Sequence, residues 1–474
     1  IFDHYDSQPQ YVLSSATIAN PIEQANKLVG RQFELVSEDS SFRGRKGFLF
    51  WNPLTNPDNS PHNQTSKLVS YFVEHGLQTL CFTLSRRLAE LIADWSAGRS
   101  ERPIRAYRAG YRPEERREIE KGLRTGDISG VAATNALELG IDIGGLDAVV
   151  ISGYPGTITS SWQQAGRAGR GSRDSIVVLV GFENPLDQVF LKHPREFFDR
   201  EHEHAILDLE NPNIAMGHLA CAATELPVRE VEELGENYSE QLQSLADKGI
   251  VRKTPNGAVF SGTSRASEAV KLDNMSETTI KVIHKGELLE TMDLPQAYRE
   301  AHDNATLLHQ GKTYIVQDLD LEAKTAEVRW KEVDYFTQAI STTNLEVGET
   351  YSERRAGEVT VNYGGVSVAE LYTHYKEKKY DKVIDVNPLD LPPLEFETEC
   401  SWFHVPETIL TKVVKRGGDP EGGMHAIEHA LISLTPFFAM CDRWDVGGFS
   451  SWHQPGGGGT IYIYDAYEGG IGIA

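Results

Sequence analysis

A length of 474 residues with 40% hydrophobic content allows roughly three domains of about 150 residues, each with an apolar core. No run of about 18 apolar residues occurs, so nothing reads as a helical membrane span, and cysteines at 81, 221, 400 and 441 lack disulfide-framework spacing, which fits a reducing compartment. The net charge of −23 excludes a uniformly basic surface, yet Arg102, Arg105, Arg108, Arg112, Arg116, Arg117 and Arg124 cluster in one stretch, where local positive surface can meet phosphate.

In chain order, Tyr11 to Thr17 is an apolar run that empties into Ser15, Ala16 and Thr17, a strand leading into a loop. Gly47 to Pro53 reads as a strand, Asn52 to Gln64 as a turn-rich loop, and Ser66 opens a helix. Gln78 to Ser85 is a buried strand with Cys81 as a core thiol, followed by a helix from Arg86 to Trp95. Ile104 to Tyr111 gives a short strand and turn, and Pro113 to Leu123 a charged helix with proline in its first turn. Strands alternating with helices at this spacing predict a parallel sheet.

Val131 to Asp142 is an apolar run ending in a glycine-containing turn, which places Asp142 at a sheet edge where ligands usually sit. A second strand, Ala148 to Ser152, precedes Gln163, Arg167 and Arg170, whose i, i+4, i+7 spacing predicts an amide and two guanidiniums on one helix face. Two fixed cations suit a polyphosphate, because a planar guanidinium neutralises the charge on a transferring phosphoryl group through paired hydrogen bonds. Gly166 and Gly169 let the backbone come close. The bland alternative is a solvated basic turn, which does not account for Gln163 in phase. Ile176 to Val180 closes the sheet.

Gln163-x-x-Gly166-Arg167-x-Gly169-Arg170 resembles motif VI of superfamily 2 helicases, and Thr134 to Asp142, with its Gly140-Ile141-Asp142 core, resembles motif V. Ser15-Ala16-Thr17 resembles motif III, and the strand from Gln78 resembles motif IV. The resemblance implies a RecA-like α/β domain over 41–192, preceded at 1–40 by the tail of a first RecA-like domain. It also implies that Arg167 and Arg170, with Gln163, act on ATP, while Gly140, Asp142, Gly166 and Gly169 surround the nucleotide. Thr134, Asn135, Arg108 and Gly110 would hold the nucleic-acid backbone, a solvated arginine being the alternative for Arg108, and Ser15, Ala16 and Thr17 would couple the two sites. ATP with Mg2+ is the implied cofactor. The sequence holds no Gly-x-x-x-x-Gly-Lys-Ser/Thr phosphate loop and no Asp-Glu-x-His or Asp-Glu-Ala-Asp box. It therefore reads as the C-terminal part of a longer helicase, carrying half an ATP site and expected not to hydrolyse ATP alone.

Beyond 192 the periodicity changes. Pro194 to Leu207 reads as a linking helix anchored by Phe197 and Phe198. Helices at Asn213 to Thr224 and Tyr238 to Lys248, then a hairpin turning at Asn256-Gly257, give the pattern of a winged-helix module over 193–262, with a structural brace as the plainer role. Residues 263–345 carry short strands at Thr278 to Ile283, Lys312 to Val316 and Ala326 to Trp330, a small β-barrel or open sheet. Residues 346–474 mix strands (Gly357 to Tyr363, Gly365 to Thr373, Phe396 to Val405, Thr460 to Asp465) with helices (His404 to Val414, His425 to Cys441), an α+β domain. His425-x-x-Glu428-His429 matches the order of an inverted zinc-protease signature. Without a third ligand at a known distance, packing or hydrogen-bonding histidines are the preferred reading.

His425-Ala426-x-Glu428-His429-Ala430, Met440-Cys441-Asp442-Arg443-x-Asp445-x-Gly447-Gly448 and Ile463-Tyr464-Asp465-x-x-x-Gly469-Gly470-Ile471-Gly472 resemble the C-terminal domain of MrfA-type, YprA-like helicases. That resemblance covers essentially the whole chain. Family members bind zinc there through four cysteines, and Cys441 is the one candidate ligand here, an ordinary buried thiol being the alternative. Zn2+ is expected only in the full-length domain. The resemblance further implies an ATP-dependent helicase that translocates 3′ to 5′ on single-stranded or tailed duplex DNA in DNA repair, inside the cell at the nucleoid and away from membranes. An RNA helicase and a non-catalytic nucleic-acid-binding scaffold are the alternatives.

Overall fold

The computed structural model describes residues 6–15, 17–40, 44–56, 59–141, 143–169, 173–209, 211–229, 238–263, 265–268, 270, 278–357, 359–379, 382–452 and 457–474. Ala16, Asp142 and Arg170, all expected at the site, lie outside the described residues. The chain divides into two compact units. The first comprises Ile1–Leu207 with Leu308–Gly311 and Pro436–Met440, and the second Asp208–Leu307, Lys312–Thr435 and Cys441–Ala474.

In the first unit, helix α1 (Pro21–Val29) precedes a six-stranded sheet: β1 (Lys46–Trp51), β2 (Thr79–Thr83), β3 (Ile104–Tyr107), β4 (Gly130–Ala133), β5 (Ala148–Ser152) and β6 (Ser175–Val180). The strand order is β1-β6-β5-β2-β4-β3 and every pairing is parallel. Strands β2, β4 and β5 are buried along their whole length, which is why they read as unbroken apolar runs and not as alternating ones. One face packs Leu80, Phe82, Tyr107, Ile151 and Ile158 together, and the other packs Val69, Val73, Cys81, Ile92 and Val150. Between the strands run α2 (Pro61–Glu74), α3 (Arg86–Ala97), α4 (Pro113–Thr125) and α5 (Ile158–Ala165), and after β6 come α6 (Pro185–Lys192) and α7 (Pro194–Phe198).

Three expectations change here. Residues 11–15 form no strand, and Tyr11, Val12 and Leu13 are exposed, so no apolar burial holds an extended segment in a sheet there. The helix from Pro194 stops at Phe198 and does not reach Leu207. Helix α5 ends at Ala165 with Gly166 as its cap, so Gln163 is helical while Arg167 lies in the following turn. Gln163 and Arg167 therefore do not share one helix face as predicted, and the Arg170 part of that prediction lies outside the described residues.

In the second unit, α8 (Pro212–Glu225), α9 (Tyr238–Asp247) and the hairpin β7 (Val251–Thr254) with β8 (Gly257–Phe260) share a core of Leu219, Ala223, Leu242, Leu245, Val251 and Ala258. A five-stranded open sheet follows, built from β9 (Thr279–His284), β10 (Glu287–Asp293), β11 (Thr306–His309, of which Leu308 and His309 are counted with the first unit), β12 (Lys312–Asp320) and β13 (Thr325–Trp330) in the order β10-β9-β13-β12-β11, with helix α10 (Leu294–Glu300) after β10. The last sheet contains β14 (Phe336–Ala356), β15 (Val359–Lys379), β16 (Lys382–Pro388), β17 (Leu394–Val405), β18 (Val446–Ser451) and β19 (Gly459–Asp465), ordered β14-β15-β17-β19-β18 with β16 on β15. Strand β14 runs on through residues 345 and 346. Strand β15 is continuous where two strands were expected. A Cβ on Gly364 would lie 2.1 Å from the Glu349 carbonyl oxygen, so this crossing needs glycine.

Helices α11 (Glu407–Lys415) and α12 (Pro420–Leu434) complete the unit. Helix α12 starts five residues before the expected His425, with the Asp419 side chain accepting from the Glu421 N–H at 3.1 Å. It ends at Leu434, where Pro436 cannot continue it, and not at Cys441. Among the described residues no helix is long and apolar enough to cross a membrane.

Candidate functional site

The parallel sheet brings the C-terminal ends of β2, β4 and β5 to one edge, where open α/β sheets bind ligands. At the end of β2, Thr83 donates its hydroxyl to the Ala133 carbonyl at 3.2 Å, fixing the point where β4 gives way to Thr134. Thr134 caps a short 3-10 turn over Asn135–Leu137. Asn135 and Gly140 are exposed on this loop, and Gly140 has φ +75 with open space around it, so glycine serves the backbone conformation there.

Helix α5 is held at its start by one carboxylate and one hydroxyl. Glu203 accepts from the Ile158 and Thr159 N–H groups at 2.6 and 2.9 Å, and Thr157 Oγ1 accepts from Ser160 N–H at 2.9 Å. A negative charge at a helix N-terminus satisfies orphan donors and suits the dipole. At the other end, Lys46 Nζ donates to the Ala165 carbonyl at 2.8 Å. Along the helix, Ser160 Oγ and Gln164 Nε2 donate to the buried Glu138 carboxylate at 2.7 and 2.8 Å, which ties α5 to the loop after β4.

Arg167 completes that tie. Its side chain is buried, with Nε donating to the Glu138 carbonyl at 3.0 Å, Nη2 to the same oxygen at 2.5 Å and Nη1 to the Ile141 carbonyl at 2.6 Å. The guanidinium thus clamps the backbone of the 134–141 loop. Gly169 has φ +75, and a Cβ there would sit 2.4 Å from Ser175 Oγ, so the turn after Arg167 admits only glycine. Gln163 Nε2 donates to Thr17 Oγ1 at 2.7 Å, joining the helix to a residue 146 positions earlier. Thr17 is buried, whereas Ser15 is exposed.

Arg108 and Gly110 are not surface groups. Arg108 is 2% exposed, its Nε lies 3.1 Å from Glu90 Oε1, and its Nη2 donates to the Leu308 carbonyl at 2.8 Å and lies 3.2 Å from His309 Nδ1. Tyr111 donates its hydroxyl to the same Glu90 oxygen at 2.5 Å. Burial, followed by the nearby Arg108 charge, pushes His309 down to about 4, so it stays neutral. The Arg108 cation is thus desolvated and bonded to protein groups, and Gly110 is buried beside it. Arg102, Arg105, Arg112, Arg117 and Arg124 are the exposed members of the basic stretch.

The cysteines do not assemble a sulfur site. Cys81 and Cys400 are fully buried, and burial raises both thiols, Cys400 to about 12. Cys441 is also buried, and among the described residues no cluster of three metal-ligating side chains contains a cysteine. A closed tetrahedral zinc site needs four donors, so the residues described do not fit one at Cys441.

Glu138, Glu203 and Lys46 were missed by sequence reasoning. A lone carboxylate or lysine carries no spacing signal, and each acquires its role only through a long-range contact.

Three family models match the chain. They are the helicase conserved C-terminal domain over residues 63–172, the winged helix domain of the ATP-dependent helicase HRQ1 over 207–268, and the MrfA Zn-binding domain over 427–474. The chain is 35% identical to the uncharacterized ATP-dependent helicase YprA of Bacillus subtilis across 99% of its own length and 65% of that protein. It is 30% identical to the ATP-dependent helicase hrq1 of Schizosaccharomyces pombe across 91% of its own length and 43% of that protein. A crystal structure of the DUF1998 helicase MrfA bound to DNA covers the whole chain with a TM-score of 0.77 at 35% identity, 65% of that chain being matched. The chain thus spans less than two thirds of the length of these relatives.

Proposed function

The chain belongs to the MrfA/YprA-like superfamily 2 helicases, and from that premise we propose that it forms the second half of an ATP-driven DNA motor. The observation that carries this reading is the hydrogen-bonded chain Thr17–Gln163 and Arg167–Glu138–Ile141, which links the three segments that resemble motifs III, VI and V. Such a link gives two sites a common backbone through which ATP binding and nucleic-acid grip can be coupled.

In this reading Arg170 is the arginine that meets the ATP phosphates, with Gly140, Asp142, Gly166 and Gly169 forming the backbone surface around the nucleotide and its Mg2+. Arg167 is a positioning residue, because its guanidinium holds the loop that carries Thr134, Asn135 and Gly140. Gln163 and Thr17 relay the state of the nucleotide site. Thr134 and Asn135, with the exposed arginines of the 102–124 stretch, contact the DNA backbone, where cations position without reading sequence. The strand is single-stranded or tailed duplex DNA, the polarity 3′ to 5′, and the setting intracellular DNA repair. Cys441 serves as a zinc thiolate only with donors that the described residues do not bring to it.

The test is steady-state ATP turnover of the chain joined to a first RecA-like domain, with single-stranded DNA or RNA added. DNA-selective stimulation is expected. Equal stimulation by RNA, or indifference to both, would overturn the DNA motor in favour of an RNA helicase or a scaffold. The chain alone, which has no phosphate loop, is expected to turn over no ATP.

A further inference from the structure

Helix α12 carries a cluster that the motor does not use. His425, Glu428 and His429 are the one group of three metal-ligating side chains found together among the described residues. The two histidines are exposed, while Glu428 between them is 5% exposed. Their Nε2 atoms lie 3.1 Å apart, and His425 Nδ1 lies 3.1 Å from Glu428 Oε2.

This arrangement fixes the chemistry of His425. A carboxylate only accepts, so Nδ1 carries the proton and donates to Glu428, leaving a lone pair on Nε2. Glu428 is itself held: a Cβ added at Gly448 would come within 2.7 Å of its Cγ and 2.9 Å of its Oε1, so strand β18 backs the side chain closely. A carboxylate that orients the far nitrogen of a metal-binding histidine is the usual outer-shell partner at such sites. Two imidazole nitrogens bound to one ion at about 2.0–2.1 Å stand about 2.9 Å apart on an octahedron and about 3.3 Å apart at a tetrahedral angle. The observed 3.1 Å falls between these.

We propose that His425 and His429 bind one borderline transition-metal ion of the zinc(II) class through their Nε2 atoms, with Glu428 orienting His425. Imidazole ligands select Zn, Ni, Cu or Co over Mg or Ca. The His425 side chain is 60% exposed, so the remaining coordination positions face solvent and the ion exchanges freely. On binding, His429 carries its ring proton on Nδ1, and no net proton is released. The order of the three residues matches that of a metallopeptidase, yet the Glu428 carboxylate is buried and bonded to His425 Nδ1, which assigns it to orienting that ring.

The test is titration of the metal-stripped chain with Co2+, followed by visible absorption and by competition with Zn2+. The expected result is one equivalent of Co2+ with ligand-field bands, no sulfur-to-cobalt charge transfer, and displacement by Zn2+. His425→Gln and His429→Gln each weaken binding at least tenfold, and Glu428→Gln by about tenfold as an outer-shell loss. The histidine variants are exposed and are checked for unchanged melting without metal, so a lost site is not a lost fold. Affinity unchanged in both histidine variants would overturn the site. So would a charge-transfer band that Cys441→Ser removes, and an unaffected Glu428→Gln would overturn the orienting role.

Discussion

Helices α5 and α12 both gather polar side chains around a carboxylate, and they do so in opposite ways. At α5 the groups face inward: Glu138 and Arg167 are buried and bonded to each other's segments, and Gln163 reaches a buried threonine. At α12 only the carboxylate is buried, and both histidines stand in solvent. The difference teaches that residues of a recognisable motif divide into those that build a site and those that meet a ligand. Arg167 is buried and spends its hydrogen bonds on the Glu138 and Ile141 carbonyls, and the proposed function accordingly places it in the first kind.

Breaking the inward cluster carries the largest expected effect. Arg167→Ala leaves the buried Glu138 carbonyl and the partly buried Ile141 carbonyl without this donor, and should destabilise the first unit by about 4 kcal/mol. A urea midpoint measures this, and an unshifted midpoint would move Arg167 into the ligand-facing class.

One buried histidine sharpens the same contrast through pH. His309 titrates near 4 in the folded chain against about 6.5 when unfolded, so between those values the unfolded chain binds more protons. Its contribution is complete above pH 6.5 and is lost as pH falls towards and below 4, on the order of 3 kcal/mol. His309→Phe should flatten that part of a melting-temperature profile. A profile unchanged by the substitution would mean that the buried Arg108 cluster admits the proton.

A smaller effect is expected at the long-range bond. Gln163→Ala and Thr17→Val should each cost about 1 kcal/mol, and the double variant little more than either, because one hydrogen bond is lost in all three. Strictly additive losses in a double-mutant cycle would show that the two side chains do not interact. The smallest effect belongs to the outward cluster: His429→Gln should leave metal-free stability within about 0.5 kcal/mol, read by the same urea midpoint.

Much of the first unit was legible because β2, β4 and β5 are buried on both faces and so stand out as short apolar runs between helices. Gln163, Gly166, Arg167 and Gly169 were legible as a pattern, but their geometry was not. The i, i+4, i+7 spacing ignored Gly166, which ends the helix before Arg167 is reached. Thr17 as the partner of Gln163, and Glu203 as the cap of α5, depend on contacts across the sequence that no local period records. Strand β14 was missed for a different reason: most of its length is exposed on both sides, so the alternation that reveals a half-buried strand is absent. The burial of Arg108 was not legible because a charged residue in a charged stretch looks solvated until its buried partner, Glu90, is found.

The most direct test of the account is ATP turnover by the chain joined to a first RecA-like domain, with Arg170→Ala compared with the native sequence at saturating single-stranded DNA and each folding midpoint recorded alongside. Loss of turnover by about a thousandfold at an unchanged midpoint is predicted, as for an arginine that stabilises the transferring phosphoryl group. Turnover that survives Arg170→Ala would contradict the assignment of this half of the motor to the glycine-rich turn after α5.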